Sequence, residues 1–129
     1  MLGATHAAAA AAGYLLWQSS PTGAFVAAVA ATLPDLDRFI PSLHRGPTHS
    51  AAALLTLYLF GALYFPAILL PALFGYASHI FLDMLTPMGV SLFWPFSRKI
   101  RFPIAKTGGV IDAAIRLAAL CAIGIVFFW

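Results

Sequence analysis

The chain has 129 residues, of which 62% are hydrophobic and only 9% charged, with a mean hydropathy of +0.93. Soluble domains carry about 25% charged residues, so this composition excludes a water-facing globule and predicts a single membrane-embedded domain over residues 1–129. The net charge of +3 comes from seven Lys and Arg gathered mostly in two loops, which suits membrane topology better than a nucleic-acid partner. The single Cys121 excludes an internal disulfide and a Cys-rich zinc cluster. No cleavable signal peptide is expected, because the N-terminus lacks a basic n-region and its apolar stretch reads on as mature structure.

In chain order, residues 2–17 form an Ala-rich helix that ends at Trp17, before the polar turn Gln18-Ser19-Ser20-Pro21. Residues 22–33 form a second apolar segment stopped by Pro34. Twelve helical residues rise ~18 Å, short of the ~30 Å hydrocarbon core, so this segment is tilted, thins the membrane or spans it only partly. Residues 34–48 form a polar loop, and residues 49–65 form a helix with Thr48 as its N-cap. Residues 67–85 form the next helix, ended by Thr86-Pro87-Met88-Gly89. The loop 86–107 carries Trp94-Pro95-Phe96 and then Arg98, Lys99, Arg101 and Lys106, aromatic and basic residues suited to the headgroup level. Residues 108–129 form the last helix. The expected fold is an all-α membrane bundle of four or five helices, one of them short. The small-residue run Ala7–Ala12 can pack against another helix or, in a homo-oligomer, a second subunit.

Six of the seven Lys and Arg lie in the loops 34–48 and 86–107. Two helices separate those loops, which places both on one side, cytoplasmic by the positive-inside rule. The titratable residues follow the same map. His6 opens the first helix, Asp35 and Asp37 follow the second, and His44 and His49 flank the start of the third. His79 and Asp83 end the fourth, and Asp112 begins the fifth. All four His and all four Asp thus fall at one face, while the opposite ends hold none. Ionisable residues in a membrane protein are expensive and commonly functional, so a shared site is expected.

His79 and Asp83 stand at i and i+4 on one helix face, a spacing that serves a metal ligand pair or a simple hydrogen bond. Asp35-Leu36-Asp37 reads as a site element or a solvated turn. In His44-Arg45-Gly46-Pro47-Thr48-His49-Ser50 the Gly-Pro bend brings two imidazoles towards one point. Arg45 there suits an anionic substrate such as phosphate, or a headgroup anchor. Imidazole and carboxylate donors without thiolate suit Zn²⁺, with Mn²⁺ or Fe²⁺ next, as one or two ions. Zn²⁺ brings the pKa of bound water near ~7, which allows hydrolysis.

The stretches Thr5-His6, Pro34-Asp35-Leu36-Asp37, His44 to Ser50, Gly75 to Asp83 and Thr86 to Val90 with Trp94-Pro95-Phe96 resemble the YdjM-type inner-membrane metal-dependent hydrolases. The resemblance covers nearly the whole chain. That family's final helix usually opens with Glu; Asp112 stands at the corresponding position. The chain order His6, Asp35, His49, His79-x-x-x-Asp83 is similar in part to soluble zinc-dependent phospholipase C. That similarity implies a main zinc on His49, His79 and Asp83, a second at His6, and Asp35 acting on water, although those enzymes have further His and Glu ligands missing here. The expected function is hydrolysis of a membrane lipid or lipid-linked substrate at a phosphoester, by metal-bound hydroxide. Asp35 or Asp37 is the expected base and Arg45 the anion-binding group, with His6, Asp35, His44, His49, His79, Asp83 and Asp112 as candidate ligands. Lipid amide or ester hydrolysis, and metal binding without catalysis, are the alternatives. The expected location is the inner membrane, multi-pass, with the site at the cytoplasmic face.

Overall fold

Helix boundaries fall where the punctuating residues stand. The computed structural model describes residues 1–39, 45–96 and 98–128, without the side chains of Arg38 and Phe39. Helix α1 spans Gly3–Gln18 and ends on Ser19 in the left-handed conformation (φ 50°), whose N–H returns to Leu15 O. Ser20 then caps α2, Pro21–Ala30, accepting from Gly23 N at 3.1 Å, with Pro21 in the first turn where its missing N–H costs nothing. Helices α3, Ala51–Tyr64, and α4, Pro66–Met84, are separated by Phe65 alone. Helix α5 spans Val110–Phe128.

Two details differ from the sequence expectation. The second segment leaves the α-helix at Ala30, and Leu33–Phe39 continues as a 3-10 turn. Pro34 has no N–H to extend the α ladder, and the Thr32 hydroxyl donates instead to Val29 O. Thr48 does not cap α3. It belongs to a short 3-10 turn, Pro47–His49, and Ser50 is the cap, accepting from Ala53 N at 3.2 Å.

Among the described residues the architecture is all-helical, with one isolated antiparallel bridge between Val90 and Ile100. Helix α1 packs on α2, α4 and α5, α2 also packs on α4, and α3 leans on α4. Alternating helix directions put the starts of α1, α3 and α5 and the ends of α2 and α4 at one end of the bundle. The connection from α4 to α5 folds over that end. Its Phe102 N–H donates to Met84 O, and the N–H groups of Ile104 and Ala105 both reach Leu85 O. These bonds satisfy carbonyls that a helix C-terminus would otherwise leave open.

Burial identifies the solvent. Phe25, Leu63 and Phe128 are 70%, 72% and 90% exposed, while His6, His49, His79, Asp83 and Asp112 are each 0% exposed. A water-soluble chain would bury the first set and hydrate the second. Hydrocarbon around the bundle reverses that preference, and two helices, Pro66–Met84 and Val110–Phe128, are long and apolar enough to cross a membrane.

Helices α2 and α4 cross closely at Gly75 and Ala27. A Cβ on Gly75 would lie 2.0 Å from the Ala27 carbonyl oxygen, a backbone atom that cannot swing aside. Ala10, Tyr14, Ala27 and Ala31 pack beside this crossing with Phe74, so small side chains let α1, α2 and α4 approach closely. Gly75 also lies one turn before His79, so the close approach holds α2 against the site. Gly75→Ala is expected to destabilise the bundle by about 1–3 kcal/mol through overpacking. Thermal unfolding in detergent reads this directly, and an unchanged melting temperature would show that the crossing has slack.

Candidate metal centre

Each site residue comes from the end of an element. Asp35 and Asp37 sit in the 3-10 turn after α2, His49 in the turn before α3, and His79 and Asp83 on consecutive turns at the end of α4. Four of these residues, Asp35, His49, His79 and Asp83, offer one donor atom each within 4.8 Å of one another. His49 Nε2 lies 3.1 Å from His79 Nε2. Asp83 Oδ2 lies 3.6 Å from His49 Nε2 and 3.7 Å from His79 Nε2, and Asp35 Oδ1 lies 3.8 Å from His79 Nε2. A tetrahedral ion with ligand bonds of ~2.0–2.2 Å needs donor separations of ~3.3–3.6 Å. Four of the six donor pairs, at 3.1–3.8 Å, stand close to that spacing, and all lie within 4.8 Å.

Hydrogen bonding on the far side of each ring fixes its tautomer. His79 Nδ1 lies 2.6 Å from Ala31 O, a carbonyl that can only accept, so Nδ1 carries the proton. His49 Nδ1 faces Asp37 Oδ2 at 3.3 Å and Thr48 Oγ1 at 3.0 Å. Thr48 donates its own hydroxyl proton to Asp37 Oδ2, so the His49 Nδ1–H is drawn to the same carboxylate. Burial lowers the His49 pKa below its ordinary value, against the raising effects of Asp37 and Asp83. With Nδ1 protonated in each ring, the neutral imidazoles would turn their Nε2 lone pairs towards each other at 3.1 Å. Lone pairs at that distance repel unless a cation or a shared proton lies between them. A carboxylate or carbonyl behind a ligating imidazole is also the usual support of a metal-bound histidine.

Asp83 binds the surrounding residues together. Its Oδ2 pairs with the buried Arg45 guanidinium at 3.0 Å, while Oδ1 meets the Met1 amino group at 2.5 Å and His6 Nε2 at 3.2 Å. Arg45, at φ 60°, also donates to Thr86 Oγ1 at 2.8 Å, and its backbone N–H donates to Asp37 Oδ2 at 3.0 Å. The guanidinium thus holds a ligand carboxylate from inside the protein, not from a solvent-facing position. His6 stacks on His79 with ring centroids 3.8 Å apart and reaches the second oxygen of Asp83.

Asp112 is not one of the four clustered donors. Its Oδ2 accepts from Gly108 N at 2.7 Å and Leu2 N at 3.3 Å, tying the start of α5 to the start of α1. Asp37 lies behind His49, away from the Nε2 atoms. His44 lies outside the described residues. The sequence reading missed Thr48 and Ala31 as supports of the two imidazoles; Thr48 was visible within the His44–Ser50 motif, whereas a backbone carbonyl leaves no signal.

The model of the YdjM inner membrane protein family matches residues 1–129. The chain belongs to the YdjM inner membrane protein family. It is 47% identical over 68 residues to the inner membrane protein YdjM of Escherichia coli K12, covering 47% of this chain and 35% of that protein. The YdjM protein of Shigella flexneri matches to the same extent. The chain thus spans about a third of the length of these curated relatives. An uncharacterized protein of Bacillus subtilis, YvsG, is 28% identical over 126 residues, 89% of this chain and 79% of that protein. No solved structure matches the chain.

The support behind His49 generates a quantitative expectation. Asp37→Ala should weaken zinc binding by about 10–100-fold while leaving the site able to fill at high metal concentration. Competition with a chromogenic chelator measures this. Complete loss of binding would make Asp37 a ligand, and no change would show that the His49 tautomer does not depend on it.

Proposed function

We propose that the protein is a membrane-embedded, metal-dependent hydrolase acting on a lipid or lipid-linked phosphoester. The observation that carries this reading is the pair of buried Nε2 atoms 3.1 Å apart, flanked by two carboxylates. Among divalent ions, Zn²⁺ suits two imidazoles and two carboxylates best, with Mn²⁺ or Fe²⁺ next. When bound, such an ion acts as a Lewis acid and lowers the pKa of water to about 7.

The chain's own residues divide the work. His49, His79 and Asp83 are fully buried and hold the ion. The Asp35 side chain keeps 15% exposure and lies at 3.8 Å from His79 Nε2. It is the member of the four that solvent and substrate can reach, and we assign it to take the proton from the attacking water. Arg45 positions Asp83 and offsets its charge. Asp37 orients His49. The basic loop residues Arg98, Lys99 and Arg101 are exposed at the same end of the bundle, placed to meet an anionic headgroup. By the positive-inside rule this end is cytoplasmic, and the five helices make a multi-pass arrangement in which the ~15 Å of α2 does not span the bilayer by itself.

A closed structural site is the alternative that the same four donors allow, with Asp35 as a permanent fourth ligand. Two substitutions separate the readings. Elemental analysis of the detergent-purified chain should find about one transition-metal ion per chain, lost in Asp83→Ala and kept in Asp35→Asn. The wild type should release phosphate from phosphatidic acid, and Asp35→Asn should slow that release about 10²-fold or more. Loss of the ion in both variants, without phosphate release by the wild type, would leave a structural site and end the hydrolase reading.

A further inference from the structure

Helix α3 rests on α4 but stands off from α2, and the gap between them is a hollow of about 310 Å³. Its walls include Phe25, Val29, Leu33, Leu57, Phe60 and Ile68, and no charged or hydrogen-bonding side chain lines it. One end lies at Phe65 and Ile68, beside the α3–α4 turn. The other lies at Ala30 and Leu33, one residue from the Ala31 carbonyl that holds His79 and two from Asp35. Along α4, from Leu69 on the floor of the hollow to His79, is ten residues, or ~15 Å of helix rise.

A second hollow, lined by Pro47, Thr48, Ser50 and Tyr76 among others, shares Leu57 and Phe60 with the first. Tyr76 donates to Thr48 O at 2.5 Å, and Thr48 touches both Asp37 and His49. The apolar hollow between α2 and α3 thus has the candidate metal centre beside its Ala30–Leu33 end, and the neighbouring hollow along α3 carries the polar Thr48, Ser50 and Tyr76. That polarity gradient matches an amphiphile with one hydrocarbon tail and an anionic head, and 310 Å³ falls at the small end of ligand pockets.

From these observations we infer that the α2–α3 cleft holds one acyl chain of a phospholipid, entering sideways from the bilayer and presenting its phosphate to Asp35, His49, His79 and Asp83. This rests on the hydrolase reading for the chemistry at the head, but the cleft itself is testable without turnover. Val29, half-exposed, and Leu57 form opposite walls, so they select for chain thickness and its point of entry.

The full chain is reconstituted in phosphatidylcholine nanodiscs containing a trace of phosphatidic acid with a diazirine midway along one acyl chain. After illumination, adducts are mapped by peptide mass spectrometry. Labelling should concentrate on the α2 and α3 walls, about tenfold above the lipid-facing Leu117 and Leu120 of α5, the equivalent of ~1.4 kcal/mol of preference. Val29→Trp and, independently, Leu57→Trp should remove that excess, whereas Leu117→Trp should not. Labelling spread evenly over α2, α3 and α5, or insensitive to both tryptophans, overturns the proposal and makes the cleft ordinary lipid-facing surface. Cleft labelling without phosphate release by the wild type keeps the lipid site and ends the hydrolase reading. Phosphate release without cleft labelling does the reverse.

Discussion

A carboxylate with no access to water, at the end of a helix surrounded by hydrocarbon, has to be met by positive charge. Asp83 is that group, and much of the bundle's polar end is arranged around it. Moving an isolated ion out of water costs several kcal/mol even after relaxation. Arg45 approaches one oxygen, and the Met1 amino group and His6 approach the other. Arg45 comes from the loop before α3, and Met1 and His6 come from the start of α1, so satisfying Asp83 fixes both stretches against the end of α4. A divalent ion between His49 and His79 would add positive charge beside Asp83 Oδ2, which would couple metal binding to the folding of this end.

The second constraint is the reversal of inside and outside. With a lipid-facing exterior, the hydrophobic effect gives little reason for helices to associate, so close packing must supply it. The Ala-rich face of α1 and the Gly75–Ala27 crossing do so, and the same crossing presses α2 against α4. The α2 end then delivers Ala31 O to His79 and Asp35 to the donor cluster. Close packing in the apolar half thus sets the geometry of the polar half, and α3, which stands off from α2, leaves the one cleft proposed to admit a lipid chain.

Much of this was legible in the sequence. Counting Lys and Arg by loop puts every His and Asp at one end, and among the described residues the helix directions agree with that placement. The i, i+4 spacing of His79 and Asp83 gave the α4 pair directly. The division of labour between Asp35 and Asp37 was not legible. Read as an irregular loop, the segment had no period. As a 3-10 turn, with three residues per turn, residues i and i+2 diverge by ~120°, so Asp35 faces the donors while Asp37 goes behind His49. Arg45 reads as an anion-binding group or a headgroup anchor; its pairing with Asp83, 38 positions away, is a contact that no local pattern records. Asp112 reads as a candidate ligand by its place at the same end; that its Oδ2 also joins α5 to α1, through Gly108 and Leu2, is a contact that no local pattern records.

The central claim is that His49, His79 and Asp83 hold one ion beside Asp35, and X-ray absorption at the zinc edge tests it most directly. On the zinc-loaded protein in lipid nanodiscs, the account predicts a four-coordinate spectrum with about two imidazoles, the remaining ligands oxygen at ~2.0–2.2 Å, and no sulfur. The imidazole scattering should fall to about one ring in His79→Ala. A spectrum of six oxygens without imidazole scattering, or one unchanged by His79→Ala, would place the metal elsewhere. The two facing imidazoles would then be joined by a shared proton.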